Sequence, residues 1–195
     1  MTRKGILFVI SGPSGVGKGT VREALLKGRD DIQVSISAST RPPRSGEIDG
    51  VDYFFMDRDT FLKKVEEDQF LEWATVYSNL YGTPRDFVVN NLNNGCDVLL
   101  EIDIQGAMQV KQKMPEGVFI FISPPSIEAL AQRLCGRGKD SQESIEERLA
   151  ACEQEMQQMS QYDYVVVNDQ VEKALEKVEA IIIAERCRIH NLKLR

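Results

Sequence analysis

Four glycines, a lysine and a threonine crowd the stretch GPSGVGKGT from Gly12 to Thr20, and the chemistry that such a set can perform is anion binding. Glycines let successive backbone N–H groups turn inward around a polyphosphate, and the Lys18 ammonium adds a full charge. The spacing Gly12-x4-Gly17-Lys18 is that of a phosphate loop, a pattern with meaning only between a strand and a helix. Both are expected here. Ile6, Leu7, Phe8, Val9 and Ile10 form an unbroken apolar run, as in a parallel strand covered on both faces. Val21, Leu25 and Leu26 then start a helical pattern, whose partial positive end would meet the same anion. The plain alternative is a glycine-rich turn that packs tightly and binds nothing. Gly19 stands where the general motif has Ser or Thr, so the hydroxyl falls on Thr20, the candidate contact to Mg²⁺, directly or through water.

Other residues with chemical capacity lie further on. The loop between Ser37 and Phe55 carries Arg41, Arg44, Glu47 and Asp49 among Pro42, Pro43, Gly46 and Gly50, which exclude a long helix. The apolar run Val98, Leu99, Leu100 and Ile102 ends in acid at Glu101 and Asp103. An acidic residue there could hold Mg²⁺ through water, although a buried strand emerging into solvent gives the same letters. Arg133, Arg137 and Arg148 surround the connector CGRGKDSQ. With His190 as the sole histidine, neither a histidine-dependent triad nor a histidine-rich metal site is expected, and a C-terminal helix face is its expected place. Cys96, Cys135, Cys152 and Cys187 form no Cys-x-x-Cys pair, so we expect reduced, mostly buried thiols rather than zinc or disulfides.

The elements that must position these groups follow from periodicity. A chain of 195 residues can bury a full core, and no shift in composition divides it, so one domain with insertions is expected over residues 1–195. Ile32, Val34 and Ile36 alternate as a strand. Asp57 to Glu67 reads as a helix with Phe61, Leu62 and Val65 on its apolar side. Thr83 and Pro84 resemble a helix cap and first turn, with Gly95 closing that helix. Val118 to Ile122 predicts another buried strand and Ser126 to Leu134 a helix. Asp140 with Glu143 reads as a capping box before Ile145, Leu149, Cys152, Met156 and Met159. Tyr164 to Val167 forms a strand, and Val171, Leu175, Val178 and Ile182 a closing helix. The fold class is thus α/β: a parallel sheet of the phosphate-loop type with flanking helices and a small mixed α/β insertion.

Charge narrows the partners. A net charge of −6 and a pI near 5.0 provide no global positive field for nucleic acid or an anionic membrane. No apolar run reaches membrane-spanning length and the N-terminus lacks a signal-peptide core, so a cytoplasmic protein is expected. The oligomeric state is left open by the sequence, a homodimer included.

Taken together, GPSGVGKGT, STRPPRSGEIDGVDYFF, FLEWA, YGTP, EIDIQGA, GRGKDSQESIEERL and YDYVVVND resemble the guanylate kinases across nearly the whole chain, in that family's order. The resemblance implies transfer of the terminal phosphoryl group of ATP to GMP, and to dGMP, with Mg²⁺ accompanying ATP. It implies a core at about 1–36, 95–126 and 160–195, a GMP-binding insertion at about 37–94 and a lid at about 127–159. Gly12, Pro13, Ser14, Gly15, Val16, Gly17, Lys18, Gly19 and Thr20 would hold ATP with Arg133, Arg137 and Asn168. Arg41, Arg44, Tyr53 and Tyr81 would hold the GMP phosphate, with Glu47, Gly82, Glu101 and Asp103 nearby. Glu72, supported by Ser37 and Thr83, would read guanine. A carboxylate accepts from guanine N1–H and its amine but faces a lone pair on adenine N1. Lys18, Arg41, Arg137 and Arg148 would stabilise the transferring group, and Thr20 and Asp103 are the implied Mg²⁺ contacts. Two related readings lack one feature each: a ribose-bisphosphate kinase has no use for Glu72, and a scaffold-type binding module generally has a degraded phosphate loop.

Overall fold

The computed structural model describes residues 2–76, 78–136 and 142–193. A short strand, β1 (Thr2–Arg3), leads to β2 (Leu7–Ser11), the phosphate-loop turn, α1 (Lys18–Leu26) and β3 (Ile32–Val34). A second sheet and its helices follow: β4 (Ala38–Ser39), β5 (Phe54–Phe55), α2 (Arg58–Glu66), β6 (Phe70–Val76), β7 (Asn79–Pro84) and α3 (Arg85–Asn93). The chain returns through β8 (Asp97–Glu101), α4 (Ile104–Lys113) and β9 (Val118–Ser123). It continues in α5 (Ile127–Gly136), α6 (Gln142–Gln157), a 3₁₀ turn, β10 (Tyr164–Val167), α7 (Val171–Arg186), a second turn and β11 (Leu192–Lys193).

The core sheet has the order β10-β9-β2-β8-β3, and every neighbouring pair is parallel. Its central strands β2, β8 and β9 are almost wholly buried because both faces are covered, whereas the edge strands β3 and β10 leave Gln33, Val165 and Val167 exposed. Phe8, Ile10, Leu99, Ile120 and Ile122 pack on one side against Val21 and Leu25 of α1 and Val178 and Ile182 of α7. Leu7, Val9, Val98, Leu100 and Phe119, one step out of phase, pack on the other against Val88 and Leu92 of α3 and Ala107 and Val110 of α4. The period of two places successive residues on opposite faces. Pairing of Ile10 with Glu101 sets the carboxyl ends of β2 and β8 side by side, the edge where open α/β sheets bind ligands. At the other end of β8 the fully buried Asp97 accepts from Arg3, from the Ile6 N–H at 2.9 Å and from Arg186 Nε at 2.8 Å. That charge is buried but paired.

Several local expectations are corrected. Thr83 lies inside β7 and does not cap α3, whose cap position is Pro84 in an extended conformation. Leu62 is exposed, and α2 buries Phe61 while Asp57 caps it by accepting the Thr60 N–H at 2.8 Å. Among the free thiols Cys152 is buried, but Cys135 and Cys187 are exposed. His190 sits exposed in the 3₁₀ turn Ile189–Asn191. The capping residue Asp140 lies outside the described residues. Among those described, no helix is long and apolar enough to cross a membrane.

Candidate active site

The phosphate-loop turn is built from backbone. Leaving β2, the chain takes positive φ at Gly12 (145°), Gly15 (85°) and Gly17 (95°), a sequence of conformations that side chains rarely tolerate. All three glycines are also close approaches, a Cβ on Gly17 standing 2.7 Å from Asn168 Nδ2. A Cβ on Gly12 would stand 2.2 Å from the Ile122 carbonyl oxygen, and one on Gly15 would stand 2.6 Å from Leu134 Cδ2. Lys18 Nζ donates to the carbonyls of Gly12 at 2.6 Å and Pro13 at 3.0 Å, so the ammonium is folded back into the loop. Burial pushes its pKa below the ordinary lysine value, while the carboxylates of Glu101, Glu155 and Asp103 pull it back up. Asn168 is buried, and its amide donates to the Val16 carbonyl at 2.8 Å, bracing the loop from the end of β10. Its Oδ1 is buried without a protein partner. Beside it Gly15, Val16, Gly17, Thr20, Arg133 and Asp169 line a cavity of about 310 Å³.

The second group of candidate residues consists of side chains placed by strand register. In the order β5-β4-β7-β6, Ala38 pairs with Phe54 and Gly82, and Thr83 with Glu72. Continuing that register by one residue sets Tyr53, Ser37, Thr83 and Glu72 in one row across four strands. The Phe54 N–H donates to the Ser37 carbonyl at 2.9 Å at the start of that row. The next row turns the opposite way. Ala38, Leu80 and the partly buried Phe54 form a small core with Phe61 and Phe70, and the half-buried Met56 packs on it. Gly82 belongs to this inward row. A Cβ there would meet Glu72 O at 2.9 Å and both rings at 3.1 Å, so it is a glycine for packing.

Glu72 is 6% exposed and accepts the Thr83 hydroxyl at 2.6 Å. Burial raises its pKa to about 7, against the pull of the Thr83 hydrogen bonds and with a further push from Asp103. Arg41 is also largely buried. It forms a two-pronged pair with Glu47, Nη1 to Oε2 at 2.6 Å and Nη2 to Oε1 at 2.7 Å, and stands 4.9 Å from the Tyr53 ring centroid. That fork and the Arg44 backbone N–H hold Glu47 down at about 2, while Glu47 holds Arg41 above its ordinary value. The Tyr53 and Tyr81 rings meet edge-on, 6.0 Å apart. Arg44 extends into solvent. Ser37, Tyr53 and Glu101 line a cavity of about 810 Å³ with Arg22 and Leu26 of α1.

Glu101 and Asp103 stand between the phosphate-loop turn and the second sheet. Glu101 pairs with Arg22 at 3.1 Å, and Asp103 Oδ1 caps α4 by accepting the Gly106 N–H at 2.7 Å. Among the described residues no cluster of three or more His, Cys, Asp or Glu could cage a metal. Two carboxylates beside a phosphate loop nevertheless fit Mg²⁺, which commonly takes one or two carboxylates and fills its octahedron with water and substrate phosphate. Thr20 lines the cavity with Arg133 and Asn168, and Gly19 is the helix residue beside Glu101. Arg137 and the Arg148 side chain lie outside the described residues.

Three contributors escape the motif reading. Gly106 lets α4 approach Glu72, since a Cβ there would be 2.9 Å from Glu72 Oε2. Gln109 ties α4 to β6 through both backbone groups of Trp73, at 3.2 and 3.0 Å. Glu155 of α6 faces Lys18. Only Gly106 left a trace in the sequence: a glycine inside a helix costs about 1 kcal/mol relative to alanine and so calls for a packing reason.

Residues 4–185 match a family model described as guanylate kinase. The chain is 66% identical over 195 residues to a guanylate kinase of Syntrophomonas wolfei, with 100% of each chain covered. It is 55% identical over 191 residues to a guanylate kinase of Caldanaerobacter subterraneus, covering 98% of this chain and 93% of that one. Among solved structures, a guanylate kinase from Anaplasma phagocytophilum aligns with a TM-score of 0.78 at 34% identity, over 97% of this chain and 90% of that chain.

Proposed function

Because the chain belongs to the guanylate kinase family, and so is an ATP:GMP phosphotransferase, we propose how its residues divide the work of that reaction. The observation that carries the assignment of guanine is the buried Glu72, held by Thr83 and aligned by register with Ser37 and Tyr53. Guanine N1–H and the exocyclic amine donate to this carboxylate, whereas adenine sets a lone pair against it. A site of this kind rejects the wrong base by about 10⁴ or more, because buried polar groups are left unpaired.

Arg41, Arg44, Tyr53 and Tyr81 take the GMP phosphate. Guanidinium forks neutralise a dianion with directed hydrogen bonds, and phenols add donors without charge. Glu47 holds Arg41 in place until the phosphate arrives. The loop amides from Ser14 to Thr20 and Lys18 take the ATP phosphates, with Arg133 and Asn168 on the adenosine side. Arg137 and Arg148 act on the transferring group, a role in which an arginine contributes about 10³-fold to 10⁵-fold.

Transfer is in line: an oxygen of the GMP phosphate bonds to the terminal phosphorus of ATP as the bond to the ADP oxygen breaks. The second pKa of a phosphate monoester is near about 6, so the nucleophile is already an anion and no catalytic base is needed. Glu101 and Asp103 would hold Mg²⁺, whose charge would offset that of the phosphates when bound. The protein's own task is to align two mutually repelling polyphosphates and keep water from the phosphoryl group, which calls for the second sheet and the lid to close on them. The compartment we propose is the cytoplasm and the second acceptor dGMP.

A coupled assay of ADP formation with GMP, dGMP, AMP, CMP and UMP tests the reading. GMP should lead AMP by about 10⁴ in kcat/KM. Comparable rates with both would remove Glu72 as the reader.

A further inference from the structure

Helix α6 reaches the phosphate loop with a carboxylate. Its partner α5 lays Leu134 against Gly15, and Leu130, Leu134, Cys152 and Met156 form the apolar seam that locks the two helices together. From this platform Glu155 faces the Ser14 backbone N–H and the Lys18 ammonium, both of which draw its carboxyl pKa down while burial, the larger influence, pushes it up. One of its oxygens, Oε2, is buried with no hydrogen-bond partner. Asp103, across the cavity of about 560 Å³ that both residues line, adds repulsion. An under-satisfied carboxylate beside a like charge is a costly arrangement, and the attractive partners it has among the described residues are loop groups suited to a polyphosphate.

We propose that Glu155 competes with the donor phosphates for the Ser14 amide and the Lys18 ammonium. Its carboxylate latches α6 onto the phosphate loop, and binding of ATP or ADP displaces it and frees the helix pair to rearrange over the nucleotide. The proposal rests on the reading of Gly12–Thr20 as the donor site. A polyphosphate brings more charge and more acceptor oxygens to the same donors, so it wins, but it does so against an internal anion. Exchange of one anion for another links donor binding to lid movement without any new element.

Calorimetric titration of the full chain with ADP in Mg²⁺ tests this in Glu155→Gln, which keeps the shape and removes the charge. ADP should bind about fivefold or more tightly than in wild type, the KM for ATP should fall in parallel, and the KM for GMP should stay within about twofold. Glu155→Ala, at a half-exposed helix position, should tighten ADP in the same direction. Glu153→Gln, on the solvent side of the same helix, should leave it unchanged. Unaltered or weaker ADP binding in the two Glu155 variants would overturn the proposal, since a residue that merely holds the fold together gives weaker binding on removal. Wild type that forms no ADP from ATP and GMP would instead sink the assignment of the reaction.

Discussion

The two cradles that we propose, the Gly12–Thr20 loop for the donor and the second sheet for the acceptor, would bind the same chemical group by opposite means. The donor cradle is a conformation: three glycines at positive φ, a helix start and one lysine, all within nine consecutive residues. Its sensitivity is to added atoms, because a methyl on Gly12 has only 2.2 Å to a carbonyl oxygen. The acceptor cradle is a register: side chains from four strands and a loop, separated by as many as 46 positions (Ser37 to Thr83), meet because the strands pair as they do. Its sensitivity is to lost atoms. Backbone amides recognise any polyphosphate, so on this reading the donor loop would supply affinity and charge, whereas selection between bases would have to come from side chains that differ in hydrogen-bond sense.

The largest expected effect isolates the donor side. Lys18→Ala should lower kcat by about 10³-fold, the scale of losing one preorganised charge contact in a transition state, while GMP binding by calorimetry stays within a few-fold. Equal loss in both would mean that the cradles are not separable. On the acceptor side, Glu72→Gln should cut the preference for GMP over AMP by about 10²-fold or more, with the KM for ATP unmoved. Base selectivity equal to wild type would dissolve the contrast.

The pKa of Glu72, about 7, gives the acceptor side a signature that the donor side lacks. Guanine needs the ionised carboxylate, so the ratio of GMP affinity in wild type to that in Glu72→Gln should fall about tenfold from pH 8 to pH 6. A flat ratio would contradict the burial argument. The same shift acts on stability with a definite sign. A carboxylate whose pKa is raised on folding stabilises below its unfolded value of 4.5 and loses that contribution as pH rises through about 7. Glu72→Gln should therefore raise Tm relative to wild type at pH 8 more than at pH 5. The smallest effect sharpens the boundary between the cradles. Gly106→Ala, which presses on Glu72 Oε2, should raise the KM for GMP several-fold and leave that for ATP alone.

The contrast also decides what could be read from the letters. The donor loop and the core strands were legible because their signals are local: unbroken apolar runs gave β2, β8 and β9, and a contiguous motif gave the turn. The acceptor residues carry no local spacing. Tyr53, Ser37, Thr83 and Glu72 were named through the resemblance, and their common row became visible only with the register. Thr83 shows why local chemistry misleads there. Thr-Pro reads as a helix start, yet the hydroxyl is claimed by Glu72 across the sheet, so the strand runs on to Pro84. Glu155 had no signal at all, since a glutamate on a polar helix face is the ordinary case and only the packing of α5 and α6 turns it toward Lys18.

The most direct test is a crystal structure of the protein with GMP, Mg²⁺ and a non-hydrolysable ATP analogue. The guanine edge should lie on the Glu72 carboxylate, the GMP phosphate among Arg41, Arg44, Tyr53 and Tyr81, and the terminal phosphate of the analogue should face it from the Gly12–Thr20 loop. Guanine seated away from Glu72, or phosphates turned away from each other, would contradict the account.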